Sequence, residues 1–134
     1  MGFLVGVALL VLTFGFPLYA SESPSVPEVP VKDMVTMVDI GAHECIPCKM
    51  MAPILASLEK EYKDQAAIIF IDVWKNKEQG QKFGIRSIPT QIFYDKSGKE
   101  VYRHEGFLAK DAIEYRLEQL GVKVVHAEEP KTSN

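Results

Sequence analysis

No lysine or arginine precedes Lys32, and the whole chain holds only two cysteines, three histidines and one tryptophan. Each scarcity excludes something. The 15 basic residues are outnumbered by 18 acidic ones, for a formal net charge of −3, which argues against a nucleic-acid binder with its basic face. The two cysteines, Cys45 and Cys48, are too few and too close to staple a small exported domain. The loop they would close is so short that it contributes little through chain entropy. A Cys-x-x-Cys pair is also half of many zinc sites. Here there is no second pair, and of His43, His104 and His126 only His43 is near enough to help. The pair therefore reads first as redox chemistry, with a metal half-site and an inert pair as the alternatives.

The length of 134 residues suits one domain, and 47% apolar with 25% charged residues is ordinary for a globular protein. Gly2–Ala20 carries no charged side chain, and Phe3–Phe16 is apolar apart from Thr13 and the glycines. Followed by Ser21-Glu22-Ser23, this run resembles a secretory signal peptide cut after Ala20. It departs from that pattern in lacking a basic start and in having the large Leu18 before the cut. The rival is an uncleaved membrane anchor, since the run falls just short of a span. Both place the domain outside the cytoplasm, in a periplasmic or other extracytoplasmic space. Pro24, Pro27 and Pro30 predict an extended, solvated linker over residues 21–31. The folded domain is expected over residues 32–121, with a polar, frayed tail over 122–134.

Within that domain Val35–Ile40 is apolar and β-branched enough for a buried strand. From Cys48 to Tyr62 the positions Met51, Leu55, Leu58 and Tyr62 recur at helical spacing, with Pro53 predicting a kink. Ala66–Val73 reads as a strand, and Lys77–Phe83 as a short helix ended near Gly84. Thr90–Tyr94 and Glu100–His104 flank the turn signal Asp95-Lys96-Ser97-Gly98. Ala109–Leu120 is amphipathic, with Gly121 as its cap. A crossover unit followed by a hairpin implies a small mixed sheet with helices on its faces.

Cys45-Ile46-Pro47-Cys48 then falls at a strand-to-helix junction. Cys45 sits at the helix start, where unpaired amides and the helix dipole favour a thiolate. Cys48 lies inside the first turn and is expected to be more buried. Cys45 is thus the expected attacking thiol and Cys48 the resolving one. Pro47 suits an early helical position and stiffens the ring.

The segment Val38-Asp39-Ile40-Gly41-Ala42-His43-Glu44-Cys45-Ile46-Pro47-Cys48-Lys49, continuing to Leu55, resembles the active-site strand and helix of the thioredoxin family. Phe83-Gly84-Ile85-Arg86-Ser87-Ile88-Pro89-Thr90 is similar to the segment leading into that family's cis-proline, and Gly106 falls where the family has a glycine. The resemblance spans about Val35 to Gly121. It implies an α/β thioredoxin-like fold, a small mixed sheet flanked by helices, with the N-terminal strand and helix shortened. It implies that Pro89 is cis and faces the cysteines, and that Ile88 offers backbone hydrogen bonds to an extended substrate. It implies that Asp39 is buried, is hard to ionise and exchanges a proton with Cys48.

Several positions depart from the family. Glu44 replaces a tryptophan and opposes a thiolate at Cys45, whereas a protonated His43 would favour it. Ile46 replaces a glycine and, with Pro47, adds apolar contact surface for substrate. Ile68 replaces the lysine that commonly pairs with the buried aspartate. Trp74, the sole tryptophan, is expected to pack in the core.

The function implied is an exported thiol–disulfide oxidoreductase that reduces disulfides in protein substrates through Cys45 and Cys48. Oxidation or isomerisation, or a metal-handling or cytochrome-maturation module using the same cysteines, are the alternatives, as is a non-catalytic interaction domain. No cofactor or metal is called for, a monomer is expected, and a membrane electron-donor protein is the expected partner.

Overall fold

The computed structural model of the protein describes Gly2 and residues 25–123. The apolar run, the expected cut after Ala20 and the chain from residue 124 on lie outside the described residues. Among the described residues no helix is long and apolar enough to cross a membrane.

Strands Val35–Gly41 (β1), Ala66–Asp72 (β2), Thr90–Tyr94 (β3) and Glu100–Glu105 (β4) alternate with helices Ile46–Glu61 (α1), Lys77–Lys82 (α2) and Lys110–Gln119 (α3) in the order β-α-β-α-β-β-α. The sheet is ordered β2-β1-β3-β4. β1 runs parallel to β2 and antiparallel to β3, and β3 pairs antiparallel with β4. All seven residues of β1 are buried. A strand with neighbours on both edges and helices on both faces has no solvent side, which is why its sequence does not alternate with polar residues.

The strand period of two divides the core. Val35 and Met37 point to one face and pack with Phe93 and with Met51, Leu55 and Leu58 of α1 and Ile113 and Leu117 of α3. Val38 and Ile40 point to the other and pack with Ile71, Ile92, Tyr94 and Phe83. Asp39 belongs to the first face and lies beneath α1. Pro53 sits inside α1, yet the helix is continuous from Ile46 to Glu61. Pro53 lacks one backbone donor, and the buried stripe Met51, Leu55, Leu58 holds both halves of the helix against the sheet.

The segment before β1 differs from the expected solvated linker. Val29 is buried in the second cluster, with Val26 packed against it. The Val31 N–H donates to Thr36 Oγ1 at 3.0 Å. Its apolar residues are drawn onto a sheet face that α2, only six residues long, leaves partly open. Among the described residues no strand or helix precedes β1. At the other end Val122, assigned by sequence to the polar tail, is buried against the α1–α3 side. The hairpin turn is as the sequence predicts: Asp95 Oδ1 accepts from the Ser97 and Lys99 N–H groups, and Gly98 takes φ +81.

Leu117 is fully buried and Tyr115 is 54% exposed on the same helix. Leu117→Ala is therefore expected to lose about 2–5 kcal/mol in urea unfolding, and Tyr115→Ala no more than about 0.5 kcal/mol. Similar losses for the two variants would contradict this placement of α3.

Candidate active site

β1 ends at Gly41 and α1 begins at Ile46, so residues 42–45 must turn the chain within four positions. Cys45 is the residue before the helix, in extended conformation with φ −76 and ψ 126 and no side-chain cap. The first-turn amides of α1 are therefore open to an anion at this position. Pro47, in the first turn, has no donor to leave unpaired. Cys45 and Cys48 form a disulfide with a Cα–Cα separation of 5.2 Å. Cys45 is partly exposed and Cys48 only 4% exposed.

Gly41 explains how Cys48 is buried. A Cβ at this position would stand 3.0 Å from Cys48 Sγ and 3.3 Å from both Cys48 Cβ and the Phe70 ring. Only glycine lets the end of β1 and the first turn of α1 approach this closely. Asp39 lies two residues back on the same strand face, about 7 Å along β1 by strand rise. The face that touches Cys48 therefore also carries the buried carboxylate.

Asp39 has no exposed surface. Gln91, its partner across the β1–β3 ladder, donates through Nε2 to Asp39 Oδ1 at 2.7 Å. Among the described residues no protein donor reaches Asp39 Oδ2. Burial pushes the carboxyl up to about 6, and the Gln91 hydrogen bond offsets only part of that. Ile68, partly buried on the neighbouring strand, brings no charge. Sequence singled out Asp39 and the missing lysine but not Gln91. The only signal was a glutamine inside the otherwise apolar strand of β3.

A second buried carboxylate, Asp72, was not anticipated. It ends β2 and holds the active-site loop. Its Oδ2 accepts from the His43 N–H at 3.1 Å and from His43 Nδ1, and its Oδ1 accepts from the Trp74 and Lys75 N–H groups at 2.9 and 3.1 Å. Burial alone would raise this carboxyl, but the hydrogen bonds from His43, Lys75 and Trp74 overcome it and hold it down at about 2. His43 is thus a tethered residue of the loop. Glu44 pairs with Lys49 at 3.2 Å, both exposed.

Thr90 pairs with Ile40, and continuing that register sets Pro89 across from Gly41. The Ile88–Pro89 bond is cis. Pro89 is buried and Ile88 partly exposed. The Gly106 N–H donates to the Pro89 carbonyl at 2.7 Å. Ile46 is 76% exposed on the outer side of the disulfide. The structure thus gathers Asp39, Cys45, Ile46, Pro47, Cys48, Ile88 and Pro89 at the end of the sheet where β1 stops. Trp74 is a correction. It is 55% exposed rather than in the core, because the backbone bonds to Asp72 turn the chain outward directly after β2.

The folded-state value of Asp39 lies above its unfolded value, so the folded state holds the extra proton. The contribution of Asp39 to stability is then fully present below about pH 4 and is lost as pH rises through about 6. The shift from 3.8 to about 6 corresponds to a loss of at most about 3 kcal/mol. Asp39→Asn is expected to flatten this fall in urea unfolding of the oxidised protein between pH 4 and pH 7. An unchanged pH profile in the variant would assign the fall to other groups.

The thioredoxin family model matches residues 26–119, a span that holds both motifs. The thioredoxin of Bacillus subtilis is 41% identical over 80 residues, 60% of this chain and 76% of its own. Thioredoxin 2 of Chlorobaculum tepidum is 36% identical over 92 residues, 69% of this chain and 84% of its own. Among solved structures, chloroplastic thioredoxin z matches with a TM-score of 0.61 at 30% identity, covering 66% of this chain and 80% of its own. The exposed lipoprotein thioredoxin of Streptococcus pneumoniae matches with a TM-score of 0.59 at 26% identity, covering 66% of this chain and 86% of its own. With the mixed sheet and the Cys45–Cys48 disulfide already described, the chain belongs to the thioredoxin family and is a thiol–disulfide oxidoreductase.

Proposed function

We propose that this protein reduces disulfide bonds in protein substrates outside the cytoplasm. The order of attack within this reaction rests on one observation, the unequal exposure of the two cysteines. Cys45 at the open helix end is placed to meet a substrate sulfur, and Cys48 is sealed between Gly41 and α1.

In the dithiol state the Cys45 thiolate attacks one sulfur of the substrate disulfide. That bond breaks, the substrate's other sulfur leaves as a thiolate, and a mixed disulfide joins substrate to Cys45. Cys48 then gives its proton to the Asp39 carboxylate, directly or through one water. Its thiolate attacks Cys45 Sγ, and the bond from Cys45 to substrate breaks. Two electrons have passed to the substrate, and the Cys45–Cys48 disulfide remains. Ile88, ahead of Pro89 and outside the β3 ladder, is placed to pair with an extended substrate strand. Ile46 and Pro47 supply apolar contact beside the reacting sulfur.

Lys49 and the Ile88-Pro89-Thr90 segment, both similar to thioredoxin proper, favour the reductive direction. Export is supported by the uncharged run before Ser21. The pneumococcal relative is described as an exposed lipoprotein, so this fold is found outside the cytoplasm elsewhere. A reductant there needs electrons, and a membrane dithiol carrier is the class of donor that fits.

Insulin reduction by the domain from Ser21, run beside a redox titration, tests this. Activity is expected in the wild type, with a potential near thioredoxin's roughly −270 mV rather than the roughly −120 mV of a strong oxidant. Cys45→Ser is expected to abolish turnover. Cys48→Ser is expected to stall as a covalent adduct with substrate. A potential near the oxidant value would reverse the direction.

A further inference from the structure

The one tryptophan lies on the surface beside the site, and the function as derived so far leaves it unused. Asp72 fixes its place. One carboxylate oxygen takes the Trp74 N–H and the other takes the His43 N–H, two residues before Cys45. The Val73 N–H also donates to the Gly41 carbonyl at 2.9 Å, at the end of β1. Trp74 therefore stands at the same end of the sheet as the cysteines. It walls a shallow hollow of about 300 Å³ with Val73, Ile85 and Ile88, and Lys77 and Arg86 stand at its edge. The hollow is thus continuous with the substrate-pairing segment through Ile88.

The unpaired charge of this hollow is the cation of Lys77, because Glu105 accepts from both Arg86 and Ser87 at the other side. No carboxylate lines the hollow. Arg86 is 82% exposed and is ion-paired with Glu105, to one oxygen of which Nε and Nη2 donate at 3.1 and 2.8 Å. Lys77 makes no ion pair among the described residues. The nearest acid on that helix, Glu78, is exposed on α2 and does not line the hollow.

We propose that this hollow is a specificity subsite that takes a large apolar side chain, preferably aromatic, from an acidic segment of the protein substrate flanking its disulfide. The inference rests on the disulfide-reductase reading above. A substrate strand paired at Ile88 projects side chains to either side of its backbone, and those on the α2 side meet Trp74. Aromatic contact with Trp74 supplies anchoring, and Lys77 selects carboxylates and repels basic segments.

The test uses the reduced protein and short peptides whose single cysteine carries a thionitrobenzoate leaving group, with release followed at 412 nm. An acidic peptide with phenylalanine near the cysteine is expected to react about tenfold or more faster than a basic peptide with alanine there, at subsaturating concentration. Trp74→Ala is expected to remove the preference for phenylalanine, and Lys77→Glu to reverse the preference for acid. Both should leave reduction of bis(2-hydroxyethyl) disulfide, which carries neither a ring nor a charge, unchanged. A serine version of the acidic phenylalanine peptide should shift the emission of Trp74, which is the only tryptophan signal. Equal rates for the two wild-type peptides would overturn the subsite while leaving the reductase reading intact. Failure of the wild type to reduce even bis(2-hydroxyethyl) disulfide would sink the reductase reading itself. A Trp74 emission shift on phosphatidylglycerol vesicles, with none on the peptide, would assign the patch to a lipid surface and overturn the proposal.

Discussion

The close approach of Gly41 to Cys48 is the constraint on which the site depends. A strand end and a helix start are pressed together until a single Cβ would stand 3.0 Å from the sulfur. That contact seals Cys48 while leaving Cys45 at the mouth of the helix. It also sets the strand face carrying Asp39 against the same sulfur. The rest of the fold serves this contact. The two core clusters clamp β1 from both sides, and β3 delivers Pro89 to the same end of the sheet.

Two buried carboxylates at this end have opposite fates for a common reason. Both are penalised by loss of water. Asp39 has one donor, Gln91, and remains at about 6. Asp72 has donors on both oxygens and is held at about 2. The count of donors decides which effect wins. The result is a division of labour. Asp72 stays ionised and ties the loop to the edge of β2, which gives a fixed frame to the residues before Cys45. Asp39, with its carboxyl pushed up to about 6, lies on the strand face that meets Cys48.

The sequence made the elements legible, within a residue or two, because hydrophobic period and turn chemistry act locally. The turn at residues 95–98, the stripe of α1 and the Cys45–Cys48 pair at its start are of this kind. What stayed hidden depends on partners distant along the chain. Gln91 matters because it pairs with a residue 52 positions away. Asp72 matters because His43 comes back to it over 29 positions. Trp74 looked like core by composition, since tryptophan is costly to expose, and only the Asp72 turn shows why it faces out. Val29 looked like linker because prolines surround it, and only the open sheet face behind it shows why it is buried.

The two thiols are unequal, Cys45 partly exposed at the helix start and Cys48 shielded behind Gly41. The most direct measurement is alkylation of the fully reduced protein with a limiting amount of iodoacetamide, followed by peptide mass mapping. Modification almost wholly at Cys45 is the predicted result. Equal labelling of the two cysteines, or labelling first at Cys48, would contradict it.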